Sequence, residues 1–386
     1  MNWKRIDERL TARALERFLQ QTPFRGETPS ATGGEWRAQI TRGRLRIETD
    51  SVSHRARVRD AARGVQLQGD ESALYFALKA FLASPDTQNR EEIGLVLAGG
   101  GAKGAYQVGV WRALCETGLS TRVTGFSGVS IGAINTPLFL SGGWRAAYEL
   151  WLQLSDPDIR RTQRADIERL TRAYGRRHSE SILPPWLLEL LEDSFISQPE
   201  LERHLLPVIK RLDPDTRREY ALFSTVTPLE ETFLLLPGLF DAQGAAFADE
   251  LTNPDAHYIS WRGLSNMDTV RLLLASSAIP PAYDPVDFRG RAYYDGGLYD
   301  NVPIWPLYGA GYRKFVVVDL KREQGRPWRI PFDSEPCTFC VIRPGEGFTD
   351  DFLATFELTP EITAERARHG YRDALRALEG FSWERI

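Results

Sequence analysis

The central part of the chain alternates short apolar runs with amphipathic segments, which is the pattern of strands and helices in an α/β domain. Residues 93–98 are an apolar run, as in a parallel strand that is buried on both faces, and residues 123–127 predict a second short strand. Between them Val108, Trp111 and Leu114 recur at helical spacing and predict an amphipathic helix. This order of elements predicts a mainly parallel central sheet with helices between its strands.

The same patterns continue toward the C-terminus. Further apolar or alternating runs predict strands, and one of them has Val316, Val317 and Val318 at its centre. Further helical patterns predict helices, the last of which is stopped by Gly380. The predicted strands are 219–227, 231–237, 315–319 and 338–342, and the predicted helices are 144–154, 268–278 and 363–378.

The first 90 residues include a different pattern, in which apolar residues and arginines alternate at 44–47 and again at 55–59. Such alternation predicts short antiparallel strands. The predicted order is a helix over 3–20, a Pro- and Gly-rich loop over 22–34, strands within 35–68, a helix over 71–83 and a linker over 84–90. We therefore predict two units, a small N-terminal α+β accessory region at 1–90 and an α/β domain at 91–386.

Composition and charge narrow the class of protein. The net charge of −4 gives no overall attraction to nucleic acid. Three cysteines provide no disulfide framework, which suits a reducing compartment and predicts a cytoplasmic location. No run of about 18 apolar residues occurs, so no transmembrane helix is expected, and the charged N-terminus lacks the apolar core of a secretory signal.

Candidate chemistry lies where the first two predicted strands end. The first strand ends in Gly99-Gly100-Gly101, and the second leads into Gly128-Val129-Ser130-Ile131-Gly132. A nucleophilic serine needs a sharp strand-to-helix turn, and flanking glycines remove the Cβ atoms that would clash there. Consecutive glycine amides before a helix can hold the oxyanion that forms when an ester is attacked. The two loops together therefore indicate a serine hydrolase.

A dinucleotide site is the competing interpretation of the first loop, because Gly99, Gly101 and Gly104 fit a G-x-G-x-x-G pattern. Such a site needs an acidic residue after the next strand to bind the ribose. The next strand leads into Ser127-Gly128 and contains no acid. A phosphate-binding P-loop also fits poorly, because Lys103 is followed by Gly104. An oxidoreductase is thus the weaker alternative.

A third motif completes a resemblance to the patatin-like phospholipases. Residues 294–303 read Y-D-G-G-L-Y-D-N-V-P and resemble the aspartate motif of that family, and residues 275–280 read A-S-S-A-I-P and resemble the segment before it. The resemblance covers about residues 93–320 and implies a three-layer α/β fold, a Ser130–Asp295 dyad, and no metal or cofactor. It implies an oxyanion hole at Gly99, Gly100 and Gly101, with Lys103, Gly104, Gly128, Gly132, Gly296 and Gly297 as supporting motif residues.

The proton acceptor for the serine can be assigned in two ways. A Ser–His–Asp triad in α/β-hydrolase order requires a histidine after Asp295, and of the five histidines only His369 satisfies this order. His369 lies in an arginine-rich helical segment, which predicts an exposed side chain. The resemblance implies instead that Asp295 is the base, which requires burial to raise its pKa.

The predicted function is lipid acyl hydrolysis of the phospholipase A or lysophospholipase type, with a lipid substrate and peripheral membrane contact. A catalytically inactive lipid-binding or scaffold protein on the same fold is the alternative. Two segments bear on the membrane: 160–177 is rich in arginine, and 183–191 is apolar. The first is a solvated helix or a face toward anionic lipid, and the second is a lid, an interfacial helix or a core helix.

Overall fold

The computed structural model describes the greater part of the predicted α/β domain and the backbone of five strands before it. The described residues are the strands between 30 and 70, and 90–156, 196–212, 220–230, 257–280, 283–322, 337–349 and 353–381. The predicted helices at 3–20 and 71–83, the strand at 231–237 and the segments 160–177 and 183–191 lie outside the described residues.

The five described strands between residues 30 and 70 form an antiparallel sheet in the order β1-β2-β3-β4-β5. The strands are β1 Ser30–Gly34, β2 Arg37–Arg42, β3 Leu45–Asp50, β4 Arg55–Asp60 and β5 Val65–Asp70. The predicted antiparallel strands within 35–68 are confirmed. The predicted loop over 22–34 is wrong at its end, because β1 pairs with β2 from Ser30 opposite Thr41 to Gly34 opposite Arg37. Pairing with a neighbouring strand here outweighs the poor strand propensity of glycine.

The central sheet has eight strands and is mainly parallel, as predicted. Its order is β10-β11-β8-β7-β6-β12-β13, with β9 paired to β8. The strands are β6 Arg90–Leu97, β7 Val123–Val129, β8 Ala221–Pro228, β9 Tyr258–Ser260, β10 Val286–Phe288, β11 Arg291–Asp295, β12 Tyr312–Val318 and β13 Thr338–Ile342. The run from β13 to β8 is parallel, whereas β9, β11 and β10 add antiparallel pairs at the other edge.

Helices cover both faces of this sheet, which gives three layers. They are α1 Ala105–Glu116, α2 Ile131–Leu154, α3 Gln198–Arg211, α4 Asn266–Ser276, α5 Trp305–Gly309 and α6 Pro360–Leu378. On one face Phe126 of β7 meets Trp111 of α1, with ring centroids 5.7 Å apart. The next residue back, Gly125, points the opposite way along the strand, where a Cβ would lie 2.7 Å from Leu307 of α5.

Helix α6 lies directly against α1, the helix that follows the first glycine loop. A Cβ at Gly109 would lie 1.8 Å from the carbonyl oxygen of Ala367, and one at Gly370 would lie 1.9 Å from that of Tyr106. No side chain fits in either place, so glycine on each helix permits this close crossing. The crossing fixes the C-terminal helix relative to the site described next.

Candidate active site

Ser130 lies on a sharp turn between β7 and α2. Its backbone has φ 54° and ψ −125°, a conformation that costs a non-glycine residue about 1–3 kcal/mol. Its neighbours must be glycine: a Cβ at Gly128 would lie 2.6 Å from the nitrogen of Ala133, and one at Gly132 would lie 2.2 Å from the carbonyl oxygen of Leu97. The sequence-predicted glycines therefore lie where the turn leaves no room for a side chain.

Ser276, at the end of α4, holds the Ser130 turn in place. Its Oγ accepts a hydrogen bond from the backbone nitrogen of Ser130 at 3.0 Å and donates one to the carbonyl oxygen of Thr225 at 2.6 Å. Ser276 is fully buried. The turn is thus tied to the end of β8, a support that the sequence analysis placed in a motif without giving it a role.

The glycine loop, residues 99–101, lies beside Ser130. A Cβ at Gly99 would lie only 3.1 Å from the Cβ of Ser130. Gly101 has φ +55°, and a Cβ there would lie 2.4 Å from the carbonyl oxygen of Thr355. After the loop come a 3₁₀ turn, Gly101–Gly104, and then α1. The loop thus presents backbone close to the serine at the start of a helical segment, the setting in which N–H groups stabilise negative charge.

Lys103 and Gly104 belong to this 3₁₀ turn. Lys103 is only 5% exposed, and its backbone nitrogen donates to the carbonyl oxygen of Gly100 at 3.2 Å. A Cβ at Gly104 would lie 2.3 Å from the side chain of Ile131, the residue after Ser130. Both residues therefore help to hold the glycine loop against the serine turn.

Asp295 lies at the end of β11 and is 2% exposed. Its Oδ1 accepts a hydrogen bond from the nitrogen of Gly297 at 2.7 Å. Burial raises the pKa of the carboxyl from 3.8 to about 7, and the Ser130 hydroxyl and the Gly297 N–H oppose part of this rise by stabilising the carboxylate. The hydroxyl is therefore near the carboxyl, although Oδ2 has no hydrogen-bond partner of standard geometry among the described residues. A pKa near 7 is suitable for a general base at neutral pH.

Asn301 connects the glycine loop to the turn that follows Asp295. Its Nδ2 donates to the carbonyl oxygen of Gly99 at 3.3 Å. Its Oδ1 would lie 2.6 Å from a Cβ at Gly99 and 2.8 Å from one at Gly297, and a Cβ at Gly296 would lie 2.1 Å from the carbonyl oxygen of Thr225. The sequence analysis missed this role of Asn301, although the residue stands six positions after Asp295 in the same motif.

Ser130 opens onto a cavity of about 110 Å³, which we call the Ser130 cavity. Its other lining residues are mainly apolar side chains of α2, of α3 and the residue before its cap, of the turn after α4 and of the segment before α6: Ile131, Ile134, Leu138, Leu150, Trp151, Leu154, Ile196, Leu201, Leu205, Ile279, Phe356 and Leu358. His204 of α3 also lines the cavity, and its Nε2 lies 2.8 Å from Oε1 of Glu200. The sequence analysis assigned α3 no role, although Leu201 and Leu205 stand at helical spacing.

The candidate triad histidine lies elsewhere. His369 is absent from the described lining of the Ser130 cavity. Its ring meets Phe348 edge-on at 6.0 Å, its Nε2 lies 3.8 Å from Glu365, and its side chain is 14% exposed. The predicted exposure of His369 is therefore wrong, because Phe348 and its own helix cover the ring. His257 is fully buried and stacks on Tyr299 at 3.6 Å, while His54 and His178 lie outside the described residues.

The described part of the chain has neither a metal cluster nor a membrane-spanning helix. Those residues contain no group of three or more His, Cys, Asp or Glu side chains placed to hold a metal ion. Within the same residues, no helix combines the length and apolarity needed to cross a membrane.

The two cysteines at β13 differ in burial. Cys337 is half-buried, whereas Cys340 is buried, and burial raises the pKa of its thiol to about 12.

The sequence profile of the patatin-like phospholipases matches residues 95–308, more than half of the chain. The chain belongs to this family. The matched region of this patatin-like chain contains all the loops described above, from Gly99 to Asn301. The dinucleotide interpretation of the glycine loop has no support here, because the turn after β7 carries Ser130 in place of the required acid.

Solved structures with similarity to this patatin-like chain share little sequence with it. VipD from Legionella pneumophila is 15% identical, with 88% of this chain and 70% of VipD covered and a TM-score of 0.38. The type III effector ExoU is 18% identical, with 87% and 57% covered and a TM-score of 0.34. ExoU in its heterodimeric complex with SpcU from Pseudomonas aeruginosa is 15% identical, with 93% and 59% covered and a TM-score of 0.32. The chain thus spans under two thirds of ExoU, and no curated protein sequence matches it.

Proposed function

We propose that this chain is a lipid acyl hydrolase in which Ser130 is the nucleophile and Asp295 the general base. One observation carries the proposal: a serine in a strained backbone conformation lies beside a buried carboxyl whose pKa is raised to about 7. A serine hydroxyl needs a base to become nucleophilic. A carboxyl with an ordinary pKa near 4 is a weak base at neutral pH, and burial removes that weakness.

The reaction has two halves. Ser130 Oγ attacks the ester carbonyl as Asp295 accepts its proton, and the protonated Asp295 then gives that proton to the departing alcohol. Asp295 next removes a proton from water, which attacks the acyl-serine, and the proton returns to Ser130 as the fatty acid leaves. The backbone N–H groups of Gly99, Gly100 and Gly101 stabilise the negative carbonyl oxygen in both halves.

The Ser130 cavity supports a lipid substrate of the phospholipase A or lysophospholipase type. Its walls are mainly apolar, so burial of an acyl chain there is favourable at about 25 cal/mol per Å² of apolar surface. A substrate of this kind resides in a membrane or micelle, so the proposal includes peripheral membrane contact. It also includes a cytoplasmic location, for which the support is the small number of cysteines. The division into an accessory region at 1–90 and a catalytic domain at 91–386 belongs to it as well.

Hydrolysis by the full-length chain tests the proposal. Fatty acid released from phosphatidylcholine and lysophosphatidylcholine micelles should be measured for wild type, Ser130→Ala and the matched control Ser260→Ala, which alters an exposed serine of β9. We expect Ser130→Ala to lower the rate by about 10³-fold or more and Ser260→Ala to leave it unchanged. A fluorophosphonate probe should label Ser130, as shown by peptide mass spectrometry.

Two results would contradict the assignment. The first is a folded Ser130→Ala protein with wild-type activity, and the second is exclusive labelling of another serine. An inactive wild type that still binds lipid would favour the alternative of a lipid-binding or scaffold protein.

A further inference from the structure

One wall of the Ser130 cavity comes from the C-terminal part of the chain. We call residues 354–358 the wall segment. Thr355, Phe356 and Leu358 line the cavity, and Ala354 is fully buried. The wall segment follows β13 and precedes α6, outside the region matched by the family profile.

The wall segment also touches the glycine loop. The carbonyl oxygen of Thr355 lies where a Cβ at Gly101 would come within 2.4 Å of it, so the two backbones are in direct contact. Any shift of the wall segment therefore changes both the shape of the cavity and the support of the loop. A second contact, from α6, also holds the position of the wall segment.

Arg366 of α6 holds the wall segment in position through hydrogen bonds to its backbone. Its Nη1 donates to the carbonyl oxygen of Glu357 at 2.7 Å, and its Nη2 donates to that of Ala354 at 2.9 Å and to Oε2 of Glu357 at 3.2 Å. Arg366 is only 5% exposed. The planar guanidinium thus spans the turn from residue 354 to residue 357, which a single ammonium group cannot do.

We call the hydrogen bonds from Arg366 to the wall segment the clamp. Helix α6, which carries Arg366, is itself held in place at its start and in its middle. Its N-terminal turn is capped by the Thr359 side chain, which accepts from the nitrogen of Ile362 at 3.2 Å. Its middle crosses α1 at the two glycine contacts described above. Arg366 lies between the cap and the second of these contacts, on a part of the helix that has little freedom to move.

We propose that Arg366 is a positioning residue for an acyl-chain subsite, whose specificity is set by the wall segment. This inference rests on the proposed function for the chemical class of ligand, a fatty acyl chain. Arg366 holds the wall segment between the glycine loop and the cavity, and so determines how well a long chain packs beside Ser130. Loss of the clamp should weaken binding of long chains more than it affects short esters, since a short chain reaches less of the wall.

Binding of dodecanoate to the full-length chain tests the inference without requiring turnover. Isothermal titration calorimetry should compare wild type, Arg366→Lys and Arg368→Lys, an identical substitution at an exposed position of the same helix. We expect Arg366→Lys to weaken dodecanoate binding by about tenfold, since small losses of fit in an apolar pocket have effects of this size. Arg368→Lys should bind as wild type does.

Absence of dodecanoate binding by wild type overturns the inference, and so does wild-type affinity in folded Arg366→Lys. If Arg366→Lys does not fold, Phe356→Ala decides, because it shortens a side chain that lines the cavity and leaves Ala354 and Glu357, which accept hydrogen bonds from Arg366, in place. It should weaken dodecanoate binding, and unchanged affinity there overturns the inference too.

Hydrolysis provides the second readout. The substrates are 4-nitrophenyl butyrate as the short ester and 4-nitrophenyl dodecanoate as the long ester. The ratio of kcat/KM for the long ester to kcat/KM for the short ester should fall about tenfold in Arg366→Lys, mainly because KM for the long ester rises. Equal losses for both esters would mean a purely structural role and would overturn the inference. Dodecanoate binding that depends on Arg366 without any ester hydrolysis would refute the proposed function and leave this inference standing.

Discussion

Asp295→Asn should remove the activity and stabilise the protein, with a gain that grows as the pH rises. Asparagine has nearly the same shape as aspartate and keeps an oxygen to accept the hydrogen bond from Gly297. Its amide group replaces Oδ2, the atom without a standard hydrogen-bond partner, and can donate to the Ser130 hydroxyl. What the substitution removes is a charge that is unfavourable in a buried position.

The pKa of Asp295 gives the size of the effect. Because the pKa is about 7 in the folded chain and 3.8 for an ordinary aspartate, the folded state binds more protons than the unfolded state between these values. Its stability therefore falls as the pH rises through this window. At about 1.4 kcal/mol per pKa unit, ionised Asp295 lowers the free energy of unfolding by about 4 kcal/mol above pH 8 and by under about 2 kcal/mol at pH 5. The advantage of asparagine should thus grow by roughly 2–3 kcal/mol between pH 5 and pH 8.

Urea unfolding at several pH values between 5 and 8 measures this difference directly. Asp287→Asn is the matched control, because it makes the same substitution at an exposed carboxyl of the neighbouring strand. In parallel, kcat/KM of the wild type should rise with pH through about 7, as Asp295 loses its proton, while Asp295→Asn loses about 10³-fold or more. A stability gain of equal size at pH 5 and pH 8 would refute the reasoning, because the buried charge would then not be its cause.

Three further substitutions test the rest of the site. Gly101→Ala should lower kcat by about 10²-fold, since its Cβ would collide with the Thr355 carbonyl; Gly118→Ala, at a similar positive φ in open space, should keep kcat at a small cost in stability, and equal kcat in both would count against the loop. Asn301→Ala should lower kcat with little change in KM, because the glycine loop loses its hydrogen bond to the turn after Asp295. Stopped-flow kinetics tests this, and a raised KM with unchanged kcat would contradict it. His369→Ala should leave kcat and its pH dependence unchanged. An inactive but folded variant would favour a Ser–His–Asp triad over the Ser130–Asp295 dyad.

Much of the fold and the turns that carry the candidate reacting groups could be predicted from the sequence. Buried parallel strands are rich in apolar residues, so β6 and β12 were predictable from local composition. The turns that carry Ser130 and Asp295 require glycine at positions where backbone approaches backbone, and such positions tolerate no other residue. Some of the backbone neighbours are distant in sequence, as Leu97 is from Gly132. The required glycines themselves stand within a few residues of Ser130 and Asp295, so they form motifs that the sequence shows.

The tertiary structure decided which distant residues support and enclose the site. Ser276 reaches Ser130 across 146 positions of sequence, and Asn301 reaches Gly99 across 202. The strand β1 forms in a glycine-containing segment because its backbone pairs with that of β2. Neither hydroxyl nor amide has a sequence pattern that specifies its partner, since each can bond to almost any nearby polar group.

The cavity and the basicity of Asp295 depend on the tertiary structure in the same way. The pKa of about 7 arises from burial under elements that come from many parts of the chain. The wall that faces Ser130 belongs to a segment more than 220 positions later, held by an arginine that looks like any other in an arginine-rich helix. Glycine motifs and apolar runs are patterns within a few neighbouring residues, and so the sequence reveals them. Desolvation and cavity shape are sums over all surrounding atoms, and only the folded chain brings those atoms together.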